Sequence, residues 1–147
     1  MATTDALNHQ LQDLIRAMEN EGLLDKNFGI VHSLKEANSP FFLVELIPMF
    51  CTDVQTDIRK LTQTLDQPSV DYHDLEEYCI KIKGGSSCIG ARRMALACVD
   101  LRRAIDNKSK EGCFLALNGI KHEFYNLRGK LDTILQLERR IISHDNI

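Results

Sequence analysis

The sequence has no tryptophan, only three prolines among 147 residues, and no uninterrupted apolar run long enough to span a membrane. Each shortage removes a class of protein. With so little proline, and eight glycines scattered without period, the chain is neither collagen-like nor a low-complexity segment. Its longest apolar stretch, Phe41 to Cys51, is broken by Glu45 and Pro48 and falls far short of the roughly 20 residues that cross a bilayer. No positively charged segment followed by an apolar one opens the chain at Met1-Ala2-Thr3-Thr4-Asp5, so no secretory signal is expected and an intracellular location follows. None of the five cysteines (Cys51, Cys79, Cys88, Cys98, Cys113) belongs to a C-x-x-C pair, and their odd number suits reduced thiols used as small packing residues better than a disulfide framework or a metal site. The net charge of −3 is small and its signs are interspersed, so there is no general pull toward nucleic acid or an anionic membrane. The arginine pairs at 92–93, 102–103 and 139–140 read as solvated helix faces.

What is present is enough apolar sequence, 44% of the residues, to bury one proper core in a single domain. Apolar residues recur at three and four positions nearly throughout, and no window alternates at period two for long enough to suggest a strand. The chain therefore reads as all-α. Leu7, Leu11, Leu14, Ile15 and Met18 mark a first helix over about residues 4–20, and Leu24, Phe28, Val31 and Leu34 a second over about 25–36. Asn38-Ser39-Pro40 then breaks the chain, with Ser39 a good N-cap and Pro40 suited to the first helical position of a third helix over about 40–65. Pro48 lies inside that helix and predicts a kink or a late true start. A fourth helix over about 71–89 carries the stripe Leu75, Cys79, Ile82, Ser86 and Ile89, with Gly90 its stop. A fifth over about 91–106 and a long sixth over about 110–142 follow, linked by Asn107-Lys108-Ser109. That link is formally a glycosylation sequon, read here as a solvated turn. Short connectors between helices three to six predict an up-and-down four-helix bundle, with the two extra N-terminal helices packed at one end.

One segment does not read as scaffold. In Lys81-Ile82-Lys83-Gly84-Gly85-Ser86-Ser87-Cys88-Ile89-Gly90-Ala91 two adjacent glycines each cost a helix about 1 kcal/mol relative to alanine, and the serines add more. Projected at about 100° per residue, Leu75, Ile82 and Ser86 fall near Cys79 on the buried side, while Ile80, Lys83, Gly84 and Ser87 fall on the other. An isoleucine then points outward, flanked by a cation and a patch without side chains, where another backbone can approach closely. This is the geometry of a docking face. The plainer alternative is that the glycine pair merely permits tight helix–helix packing. A phosphate loop is excluded: Gly85 and Gly90 have the G-x-x-x-x-G spacing, but Ala91-Arg92 stand where Lys and Ser/Thr are required and no strand precedes.

The same stretch, from Ile80 to Ala91, resembles the signature H-Q-x-K-G-S-S-S-S-I-G-A of plant histidine-containing phosphotransfer (HPt) proteins. Gly22-Leu23-Leu24-Asp25, Asn38-Ser39-Pro40-Phe41-Phe42, Leu65-Asp66-Gln67, Val70-Asp71-Tyr72 and Leu137-Glu138 are also similar to that family, so the resemblance runs from about Leu7 to Ile142. It implies a four-helix bundle that carries phosphate between receiver domains of hybrid kinases and response regulators. It also implies that Ile80 stands where the family has its phosphoacceptor histidine, Lys81 where it has glutamine, and Gly85 where it has serine. An alkyl group offers no lone pair to an aspartyl phosphate, so relay through position 80 is chemically excluded.

The expectation is a pseudo-HPt protein that binds receivers without accepting phosphate and competes with true carriers in a cytokinin-type phosphorelay. Ile80, Lys81, Lys83, Gly84 and Ser87 are its expected partner-binding residues, with Leu24 and Phe28 of the second helix as apolar rim contacts. The alternatives are a residual carrier using His73, about 10.5 Å from Ile80 along the helix axis, or a bundle with a different partner. His9, His32, His122 and His144 show no partnering pattern and are assigned to ordinary surface or boundary positions. No cofactor or metal is expected, nor any nucleic-acid or membrane partner. The chain is expected to be a monomer found in both cytoplasm and nucleus.

Overall fold

A computed structural model describes residues 4–37 and 39–145 of the chain. They form six helices: α1 (Thr4–Asn20), α2 (Lys26–Ala37), α3 (Phe42–Leu65), α4 (Tyr72–Ile89), α5 (Arg92–Asp106) and α6 (Lys110–Asp145). No strand occurs among the described residues. Helices α3, α4, α5 and α6 pack as a closed ring, each against its chain neighbour and α6 back against α3. Their inward stripes, such as Leu61 and Leu65 of α3, Leu75 and Ile82 of α4, Met94 and Leu101 of α5, and Ile120 and Leu127 of α6, are fully buried. The two extra helices add to this ring in different ways. Helix α1 lies on α6 through Leu7, Leu11, Ile15 and Met18, and Thr4 Oγ1 donates to Asp145 Oδ1 (3.1 Å), pinning its start to the end of α6. Helix α2 instead packs on α3 and α4.

The helix ends follow local chemistry. Asp71 caps α4 by accepting from the Asp74 N–H (3.1 Å), satisfying one of the donors that a helix start leaves free. Gly90 ends α4 in the left-handed conformation, at φ 81°, as its position after the last apolar residue predicts. Ser109 Oγ accepts from the Gly112 N–H (3.0 Å) at the start of α6. The start of α3 differs from expectation. Ser39 accepts the Phe41 and Phe42 N–H groups through its Oγ and carbonyl (3.1 Å each), but this closes a turn ahead of the helix, whose first residue is Phe42 and not Pro40. Helix α3 then runs through Pro48 to Leu65, so Pro48 does not mark a delayed start.

Gly90 also fixes where α2 sits. A Cβ at this position would lie 2.4 Å from the Phe28 backbone nitrogen and 2.7 Å from Asp25 Oδ1, so only glycine admits the start of α2 here. The Asp25 N–H donates to the Gly90 carbonyl (2.9 Å), and Asp25 Oδ1 accepts from the Asn27 N–H (2.8 Å) to cap α2. The N-terminal end of α2 is thereby joined to the C-terminal end of α4, next to the glycine-rich segment.

Candidate functional site

The buried stripe of α4 is Leu75, Cys79, Ile82, Ser86 and Ile89. By elimination of faces, Ile80, Lys81, Lys83, Gly84, Ser87 and Cys88 are exposed, Ile80 retaining 53% of its accessible surface. Four of the five α4 residues the sequence selects, Ile80, Lys83, Gly84 and Ser87, thus share one outward face, while Lys81 is exposed on the side of α4 toward α3. A Cβ added to Gly84 or to Gly85 would meet nothing within 4 Å. Neither glycine is needed for packing inside the bundle, which overturns the tight-packing alternative for this pair. Lys83 makes no ion pair or hydrogen bond with any described residue, so its ammonium stands uncommitted one turn from Ser87. Lys81 is differently placed: its Nζ lies 5.8 Å from the centre of the Tyr78 ring, which Lys60 of α3 also approaches at 5.6 Å.

Two adjoining hollows flank this face along the seam of α3 and α4. The first, of about 410 Å³, is polar and includes Asp53, Asp57, Lys60 and Lys81. The second, of about 300 Å³, is an apolar cleft walled by Val31 of α2, by Phe42, Leu46 and Met49 of α3, and by Cys88 and Ile89 of α4. Phe50, Asp53 and Gly85 line both, so the two hollows meet at Gly85. Burial raises the Asp57 carboxyl above its ordinary value, while Lys81 and then Lys60 pull it back. Cys51 in the core has its thiol pushed up to about 11, chiefly by burial.

Two expected rim contacts are corrected. Leu24 and Phe28 are 2% and 0% exposed and belong to the core. Leu24 turns inward with its N–H on the Met18 carbonyl (3.2 Å), and Phe28 lies beneath α2 where Gly90 admits it. The exposed apolar residues of these helices are instead Ile30 and Leu34 on α2 and Met49 on α3. Met49 was recoverable from sequence, because it falls off the buried stripe Leu43, Ile47, Phe50, Val54. The cleft was not, since it requires knowing that α2 crosses beside α3 and α4.

His73 projects on the same side of α4 as Ile80 but lies about 10.5 Å away along the helix axis. It sits in the first turn of α4 with Nε2 3.3 Å from Glu77 Oε1, both side chains largely exposed. His32 departs from its assignment as a histidine without a partner: its Nε2 lies 3.2 Å from Oε1 of Glu138, a carboxylate with no exposed surface. No cluster of three metal-ligating side chains occurs among the described residues. No helix of the described residues is long and apolar enough to cross a membrane.

The model of the Hpt domain matches residues 45–130, which include the whole of α4 and α5. The chain is 35% identical over 141 residues to histidine-containing phosphotransfer protein 2 of Oryza sativa subsp. japonica, covering 95% of each. It is 29% identical over 139 residues to pseudo histidine-containing phosphotransfer protein 6 of Arabidopsis thaliana, covering 94% of this chain and 90% of that one. Among solved structures it resembles a histidine-containing phosphotransfer protein from rice with a TM-score of 0.88 at 34% identity, covering 94% of this chain and 97% of the other.

Proposed function

The chain belongs to the Hpt-domain family, and from that premise we propose that it binds receiver domains through the outer face of α4 without taking up their phosphate. The observation that carries this reading is Ile80, half-exposed beside Lys83 and the side-chain-free Gly84. A phosphoryl group leaves an aspartate only for a nucleophile with a lone pair, and a butyl side chain has none. Docking needs no such atom. Gly84 and Gly85 leave room for a partner's loops, and the free ammonium of Lys83 complements the acidic pocket in which a receiver holds its aspartate. The apolar cleft with Met49, and Ile30 and Leu34 beyond it, supplies area to bury.

A module that fills the docking site and returns nothing competes with true carriers. Its role in this reading is to damp a multistep phosphorelay of the cytokinin type, as a monomer in cytoplasm and nucleus, with no nucleic acid or membrane as partner. The pseudo type borne in the name of the Arabidopsis relative supports the reading. So does the distance of His73, which pairs with Glu77 about 10.5 Å along the helix axis from Ile80.

The test is a titration of a receiver domain with the unmodified chain, followed by addition of the chain to a working receiver-to-carrier relay. Saturable binding and a dose-dependent fall in carrier labelling are expected. Absence of binding, or binding that leaves carrier labelling unchanged at saturation, contradicts the proposal.

A further inference from the structure

A fully buried carboxylate in a helical bundle costs stability unless it is paired, and an apolar residue of similar volume would fill the same space without that cost. Glu138 is such a residue. Its side chain has no exposed surface, on a part of α6 where Leu135, Ile141 and Ile142 are also buried. His32 of α2 reaches it at 3.2 Å. The best-attested use of a buried polar pair is to fix how one element sits on another.

Helix α2 needs such a device. At its N-terminal end it is anchored by the Asp25 N–H on the Gly90 carbonyl, by Asn27 Nδ2 on the Ser87 carbonyl (3.4 Å), and by buried Phe28. From Phe28 to Leu34 it adds no fully buried apolar side chain, because Val31 is half-buried and Ile30 and Leu34 are exposed. His32, with 18% of its side chain exposed, is the deep anchor of that stretch. Val31 and His32 are consecutive, so they project about 100° apart on the helix. Val31 walls the apolar cleft beside Gly85, and His32 turns to α6. Any rotation of α2 moves both together.

We infer that Glu138 is a positioning residue: through His32 it sets the rotation of α2 and so holds open the apolar cleft that a docked receiver uses. The inference rests on the docking reading above, and it adds a buried residue of α6 that is no part of the docking face.

The test compares the unmodified chain with Glu138→Ala, Glu138→Gln and Leu117→Ala, by receiver titration and by amide hydrogen exchange. Leu117 is a buried core residue of α6, about 31 Å along the same helix from Glu138, and reports what a general loss of stability does. Glu138→Ala is expected to weaken receiver binding at least fivefold and to speed exchange in α2 but not in α4 or α5. Glu138→Gln, which keeps an oxygen for His32, is expected to bind within twofold of the unmodified chain. Leu117→Ala is expected to lower the melting temperature yet bind within twofold. If Glu138→Ala does not fold, His32→Ala carries the same expectations. Unchanged affinity on removing either partner, or equal weakening by Leu117→Ala, overturns the inference while leaving the docking reading in place. An unmodified chain that binds no receiver contradicts the docking reading itself and removes the ground for both.

Discussion

At position 80 the proposal turns on a single side chain. Its four carbons can be covered by a partner, worth about 1.5 to 3 kcal/mol if burial is complete, but they cannot hold a phosphoryl group. Cysteine reactivity gives a residue-level check on the face beside it. Cys88 is exposed on the wall of the apolar cleft, whereas Cys51, Cys79, Cys98 and Cys113 are buried, and burial holds the Cys51 thiol near 11. A thiol reagent at neutral pH is expected to label one cysteine per chain quickly, at Cys88, and the other four only on unfolding. A bound receiver is expected to slow that one reaction. Gly90 gives a second check, because its φ of 81° and the 2.4 Å from a Cβ to the Phe28 nitrogen leave no space for a side chain. Gly90→Ala is expected to cost about 1 to 3 kcal/mol in urea denaturation and to loosen α2 first. Residue identities of this kind were legible where the helical period alone decides exposure, as for Ile80 and Lys83. They were not legible for Leu24 and Phe28, whose burial depends on a contact between α2 and Gly90 that no local pattern reveals.

At the scale of elements, α4 carries two glycines that serve nothing within the bundle. Replacing each with alanine is expected to stabilise the helix by about 1 kcal/mol while weakening receiver binding, an opposition that marks a functional surface. A melting curve beside a binding titration reads both, and equal affinity in Gly84→Ala and Gly85→Ala would show that the bare patch is not used. Helix α3 offers a pH-dependent counterpart. The Asp57 carboxyl is raised above its ordinary 3.8 in the folded chain, so its protonated form is favoured by folding. Its stabilising contribution is present at low pH, where the carboxyl is protonated in both states, and is lost as pH rises through the folded value. The stability advantage of Asp57→Asn over the unmodified chain should therefore grow as pH rises past the ordinary carboxyl value of 3.8 and level off once pH has passed the folded value. Urea unfolding across that range checks the sign. All six helices were readable from apolar spacing, and Gly90 from its place after Ile89. The first turn of α3 was misplaced because Ser39-Pro40 carries a good start signal that the chain spends on a separate turn.

For the whole molecule, α3 to α6 close a ring, and α2 packs on it so that Val31 walls the apolar cleft that the proposal assigns to docking. The bundle followed from periodicity and connector length, since both are local properties. The paired hollows and the His32–Glu138 contact did not, since each joins residues far apart in the chain. The account turns on whether this bundle binds a receiver yet lacks only the reactive imidazole. The most direct measurement incubates a receiver domain, labelled on its aspartate, with the unmodified chain and with Ile80→His, while binding is followed in parallel. The account predicts that both chains bind the receiver, that the unmodified chain gains no acid-labile phosphate, and that Ile80→His gains it. Label on the unmodified chain would contradict the account and direct attention to His73.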